Sequence, residues 1–329
     1  MSQSSGTGIN AGGPPTLPSF AELQARTDGA PAGSSWGVFG DDDEIGTLNL
    51  IGPAQTAAGA REVILGQTHS LNWHIDEPAK NAYRKQPKRV HLGEGGDFGR
   101  DDYLDRLFLQ YSSQWDGLRH ICFEGGHFYN GIEASAVDDP DNDTLGIQLW
   151  SQRGIAGRGV LLDVARYLGS QGVTIDYLSS FEITTEMLDA TVAAQGTSIQ
   201  SGDVLLVRVG WCGWYEKQDP DTQVAASRSN TRQPGLRGDS STAAWLWDHR
   251  VSAVAADNMA FESYPISEGP DGLHRLLIPG LGMPIGEYFW LDGLADACAS
   301  DRRWSFLFTS APLNVRGGVG SPPNALAIR

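Results

Sequence analysis

The run GDVLLVRVGW (202–211) constrains this chain more than any other stretch. Val204 to Val207 are four consecutive aliphatic residues, so a strand formed there has no polar face to turn to water. Strands of that kind are buried on both sides and need a covering layer on each. Helices packed on a largely parallel sheet provide those layers, and the neighbouring sequence supplies the helices.

GRGVLLDVARYL (157–168) begins as a strand and turns helical, and EITTEMLDATVAAQG (182–196) predicts a helix with Thr184 near its cap and Gly196 at its end. STAAWLWDHR (241–250) predicts a helix and VSAVAADN (251–258) a strand. LADACASDRRW (294–304) and WSFLFTSAPL (304–313) repeat that order. This alternation predicts an α/β fold. Shorter helices are expected at Phe20–Ala25 and from Pro53 to Leu65, where Pro53 suits a first turn. Residues 72–99 are polar and interrupted by Gly and Pro, and they predict a long surface excursion. With no repeat or central linker, residues 18–329 read as one domain. Residues 1–17, rich in Ser, Gly and Pro, read as a flexible N-terminal arm.

Several function classes are excluded. A net charge of −16 repels phosphate backbones, so a nucleic-acid partner is not expected. No apolar run reaches the roughly eighteen residues of a membrane span, and MSQSSGTGINAGGPP lacks the basic and apolar parts of a signal peptide. Cys122, Cys212 and Cys298 lie far apart without CxxC spacing, which fits buried reduced thiols and a cytoplasmic location. No GxGxxG follows a strand, and neither a Walker A lysine nor a GxSxG elbow occurs.

The chemistry must come from elsewhere, and the seven histidines are the natural place to look. His69, His74 and His91 lie in or beside the polar excursion, and His249 closes a predicted helix; all four read as surface or satisfied polar residues. Asp41, Asp42, Asp43 and Glu44 read as a solvated turn or helix cap. SSQWDGLRHI (112–121) puts Asp116 and His120 four positions apart, which suits a surface pair, a cap or half of an active site. In GLHRLLIPGLGMPIGEYFWL (272–291), Glu287 precedes Tyr288, Phe289 and Trp290, where desolvating a carboxylate is costly unless it is paired. A capping His274 and a helix-starting Glu287 are the bland alternative. Asp116, His274 and Glu287 have the number and type of ligands that catalytic divalent metals use, and His120 has the ordinary pKa of a base near neutrality. Spacing permits that constellation without establishing it.

Six segments carry a resemblance: WGVFGDDDEIGTLNLI, SQWDGLRHICFEGGHFYNG, IAGRGVLLDVARYL, GDVLLVRVGW, DGLHRLLIPGLGMPIGE and GVGSPPNALAI. They resemble the cyclase family of metal-dependent hydrolases, which includes bacterial kynurenine formamidase and isatin hydrolase, over most of the chain from Trp36 onward. The resemblance implies a swivelling β/β/α domain with a mixed sheet or barrel core, associating as a homodimer or homotetramer. Laid on the formamidase motif HxGTHxDxPxH, the aspartate falls on Asp116 and the last histidine on His120. The family's later ligand pair falls on His274 and Glu287. The first two histidine positions hold Gln110 and Gln114 instead, and the proline is Leu118. The implied cofactor is therefore one divalent ion, Mn²⁺, Zn²⁺ or Mg²⁺, on Asp116, His274 and Glu287, with Gln114 lending an oxygen. The implied function is hydrolysis of an amide, lactam or lactone bond in a small aromatic substrate, by metal-activated water with Asp116 and His120 as catalytic residues and His120 as general base. A lyase or cyclase using the same pair, and a metal-free binding homologue, are the alternatives. Trp115, Phe123, His127, Phe128, Tyr129 and Trp211 read either as walls of the substrate pocket or as core.

Overall fold

Val204–Val207 is buried at every position and lies inside a nine-stranded mixed sheet of the computed structural model, which describes residues 17–81, 83–95, 99–123, 125–267, 269 and 271–329. Four strands run parallel through its centre: Ile155–Leu162, Val204–Val207, Ala253–Ala256 and Ile285–Glu287. Antiparallel strands extend it on both sides. Ser305–Ser310, Leu326–Ile328 and Thr68–Ser70 follow Ile155–Leu162 outward, and Gln114–Asp116 then Gly320–Ser321 follow Ile285–Glu287. The result is a mixed α/β domain built on one large curled sheet.

The helices arise where the alternating pattern places them. Val164–Ser170 starts on Asp163, whose carboxylate accepts from the Arg166 amide at 3.1 Å. Thr185–Gln195 ends on Gly196 in the left-handed conformation, φ 64°. Ser240–Asp248 is capped by Asp239, and Asp292–Asp301 precedes the strand Ser305–Ser310. Phe20–Gln24 carries a capping box between Ser19 and Glu22. Pro53–Arg61 is shorter than its sequence reading, because the chain leaves the helix after Arg61. Residues 182 and 183, expected at the start of a helix, pair instead with Gly235–Leu236 as a two-residue strand.

The excursion at 72–99 is not structureless. Lys88–Gly95 pairs antiparallel with Gly99–Asp105, and Gly99–Leu104 are exposed. Of the expected N-terminal arm, residues 1–16 lie outside the described residues, and Leu17 is fixed by its carbonyl, which accepts from Arg250 at 2.9 Å. Among the described residues no helix is long and apolar enough to cross a membrane.

One strand pairing matters most for function, that of Gln114–Asp116 with Ile285–Glu287. It sets Ile285 opposite Asp116, Gly286 opposite Trp115 and Glu287 opposite Gln114. Alternation along a strand then places Gln114, Asp116 and Glu287 on one face and Trp115 on the other. Trp115 packs edge-on against Phe289, at 5.1 Å between ring centroids, and Phe308, and its indole N–H donates to Ser310 Oγ at 2.9 Å. Gly286 leaves the space that this packing fills: a Cβ there would stand 2.5 Å from Ala255 Cβ, 2.7 Å from Phe289 and 3.0 Å from Trp115. Gly286→Ala should therefore lower the unfolding free energy by about 1–3 kcal/mol through overpacking. Urea denaturation checks it, and an unchanged midpoint would contradict the crowding described.

Candidate active site

Asp116 closes its strand, and the chain then turns sharply. The His120 amide donates to the Gly117 carbonyl at 3.0 Å, and buried Arg119 anchors the turn on the carbonyls of Val137, Asn142 and Thr144. The turn, rather than a helix, brings the His120 ring back to 3.8 Å from Asp116 Oδ2. The two oxygens of Asp116 have different surroundings. Oδ1 accepts from the side-chain amides of Gln110 and Gln114, while Oδ2 faces His120 Nε2 and, at 3.9 Å, His274 Nε2.

His274 comes from a short helical segment, Leu273–Arg275, that widens into a π-helical turn, Leu276–Leu281, around the internal Pro279. Leu273, Leu277, Ile278 and Leu281 are buried in the core and carry His274 inward with them. Gly282 ends the segment with φ 64°, against Tyr129. His274 Nε2 lies 3.4 Å from Glu287 Oε1, and its Nδ1 lies 2.6 Å from Glu262 Oε1. Glu262 also accepts from the backbone amides of Leu273 and His274, at 3.4 and 3.0 Å. This keeps a proton on Nδ1 and aims Nε2, whose own proton a bound cation would displace, at Asp116 and Glu287, as carboxylates behind metal-binding histidines do.

Asp116, Glu262 and Glu287 are all nearly inaccessible, and the electrostatics follow from that. Burial and the Asp116 charge push Glu287 up to about 7. Burial pulls His274 down, but its hydrogen bonds to Glu262 and Glu287 outweigh this and hold it at about 10. Burial lowers His120, against the pull of Asp116, so its ring is neutral and able to accept a proton near pH 7.

Ligand atoms of Asp116, His274 and Glu287 all lie within 4.8 Å of one another. Bonds of about 2.0–2.2 Å to a shared cation are compatible with the 3.4 and 3.9 Å separations seen from His274. Gln114 adds a second indication. Its Nε2 donates to Glu287 at 2.5 Å, while its Oε1 is buried without a partner. Two carboxylates, an imidazole nitrogen with its proton fixed on the far side and a spare amide oxygen suit a divalent ion.

The cluster opens into a cleft of about 260 Å³ lined by Asn81, Tyr83, Arg84, His120, Ile121, Met259, Ala260, Tyr264, Ile266, His274 and Glu287. The aromatic residues considered as pocket walls lie elsewhere. Trp115 is on the core face, and Phe128 is also in the core. Tyr129 is fully buried with its hydroxyl on Asp43 at 2.9 Å. Phe123 packs on Trp36, and Trp211 stacks on Tyr215 in the cluster with Trp73 and Tyr288 that also holds the cleft residues Met259, Ala260 and Tyr264, so Trp211 supports the cleft wall without lining it. His127 pairs with the exposed Glu133 at 3.3 Å. Asp43 accepts from the Gly46 amide at 2.8 Å within a turn, and Glu44 accepts from the distant Leu145 amide at 3.0 Å, so both satisfy backbone donors. Sequence reasoning missed Glu262, because it stands twelve positions before His274 and no helix or strand spacing links the two. It also missed Arg84 and Tyr83, which look like ordinary polar residues of the excursion.

The family model described as "Putative cyclase" matches residues 68–263. A crystal structure described as a novel cyclase is 32% identical, with a TM-score of 0.80 over 90% of this chain and 97% of its own. An isatin hydrolase bound to the product analogue thioisatinate superposes with a TM-score of 0.56 at 15% identity, over 84% of this chain and 98% of its own. Isatin hydrolase A from Labrenzia aggregata gives 0.54 at 14% identity, over 83% and 97%. No protein of curated function matches the sequence.

Replacing Glu262 with Gln keeps the shape but removes the charge that orients His274. Affinity for Mn²⁺ or Zn²⁺ should fall about 10- to 100-fold, measured by titration calorimetry. Unaltered affinity would count against that orienting role.

Proposed function

The chain belongs to the cyclase family, and from that premise we propose that it is a hydrolase of an amide, lactam or lactone bond in a small, ring-containing substrate. The observation that carries this reading is the cluster of Asp116, His274 and Glu287 at the floor of a cleft that His120, His274 and Glu287 line, with His120 3.8 Å from Asp116. The isatin hydrolases share the fold, and hydrolysis is the activity their name carries.

Asp116, His274 and Glu287 would hold a divalent cation, Mn²⁺, Zn²⁺ or Mg²⁺, with the Gln114 amide oxygen as a further donor. A cation of this kind makes water acidic enough to supply hydroxide near neutral pH and polarises a carbonyl. The remaining steps belong to the chain. His120, neutral and 3.8 Å from Asp116, takes the proton of the attacking water on Nε2 and returns it to the departing nitrogen or oxygen. Asp116 Oδ2 stabilises the imidazolium formed in between. Ile121, Met259 and Ala260 give the cleft an apolar wall against which a small ring would pack.

His120→Ala should lower kcat on a responsive amide or lactone by about 10²- to 10⁴-fold while the circular dichroism spectrum and cation content stay as in the parent. Elemental analysis should find one equivalent of metal in protein purified without chelator, and loss of it in Glu287→Gln. Metal-free parent protein with an intact cleft would favour a binding homologue. Turnover without incorporation of ¹⁸O from labelled water would favour a lyase or cyclase. Either result overturns the hydrolase reading.

A further inference from the structure

The hydrolytic reading leaves one charged residue of the cleft without a task. Arg84 lines the cavity together with His120, His274 and Glu287. Its backbone amide donates to Asn81 Oδ1 at 3.1 Å; among the described residues its guanidinium makes no direct hydrogen bond or ion pair, and it acts on Glu287 and His120 only as a charge at a distance. Five N–H donors in a planar fork are suited to an oxyanion. The protein's net charge is −16, and the lining carboxylate Glu287 and the adjacent Asp116 already have their own donors. Glu287 is held by Gln114 and His274, and Asp116 by Gln110 and Gln114. The rest of the lining beside Arg84 is largely apolar: Ile121, Met259, Ala260 and Ile266.

We propose that Arg84 is a specificity-determining residue, which pairs with a carboxylate carried by the substrate while its apolar ring lies against Met259, Ala260 and Ile266. The volume of about 260 Å³ suits a single-ring acid and leaves little room for more. The inference rests on the cleft being the substrate site, so its test is a binding measurement that requires no turnover.

Benzoate and its neutral isostere benzamide are titrated calorimetrically into the full chain, the parent and Arg84→Gln, with and without added Mn²⁺. The parent should bind benzoate about ten- to a hundredfold tighter than benzamide, as expected for a hydrogen-bonded charge. Arg84→Gln should abolish that preference with or without Mn²⁺, and Arg84→Lys should restore part of it. A preference that survives in Arg84→Gln and disappears when Mn²⁺ is withheld places the anion on the cation and overturns the inference. Equal affinity of the parent for both probes overturns it as well. An Arg84-dependent preference in a protein that turns over no amide, lactam or lactone sustains the inference and counts against the hydrolase reading alone, so the two failures are distinguishable.

Discussion

Three carboxylates surround one imidazole in near-complete burial, and the architecture around them answers that charge. Asp116, Glu262 and Glu287 are each no more than 5% exposed. Burying even one uncompensated carboxylate costs several kcal/mol, so donors and positive charge gather around the three. Gln110 and Gln114 supply amide N–H groups, the start of the Leu273–Arg275 segment supplies two backbone N–H groups, and His274 sits among all three acids. A proton on His274 or a divalent cation beside it completes the compensation. The elevated pKa of His274 and the ligand geometry thus have the same origin, a local excess of buried negative charge that requires a cation.

The parts of the fold that follow from local pattern were legible in the sequence. The unbroken aliphatic run at Val204–Val207 required burial on both faces, and Thr184 and Gly196 mark helix boundaries where their chemistry predicts them. The site was legible only in part. Asp116 and Glu287 are 171 residues apart in sequence, and only a strand pairing invisible to local periodicity makes Gln114 and Glu287 neighbours. Resemblance to a family, rather than spacing, singled out those positions. Glu262 follows a residue with φ of 57° in an irregular stretch, and no short-range signal connects it with His274. The aromatic residues were ambiguous for a related reason. Whether Trp115 faces the cleft or the core depends on recognising Gln114–Asp116 as a strand, and three residues are too few to display alternation.

The two glutamines acquire a clear meaning in this setting. The resemblance put histidines at positions 110 and 114, where imidazoles would serve as ligands. Here both side chains direct amide nitrogens at Asp116, and Gln114 reaches Glu287 as well. Neutral donors have taken the place of ligands, which holds the carboxylates without adding a second positive centre. What remains is a compact donor set for one ion, walled by Ile121, Met259 and Ala260.

The back-to-back arrangement of Trp115 and its neighbours has a consequence for how the sheet assembles. If Gln114–Asp116 slipped by one residue against Ile285–Glu287, the indole would swing into the cleft and two polar side chains would be driven among Phe289 and Phe308. Misalignment would strand the Asp116 charge and the Gln114 amide in hydrocarbon, so the polar pair that serves the site also proofreads the joining of two segments far apart in the chain. A variant stripped of that pair would lose a folding instruction together with its reactivity.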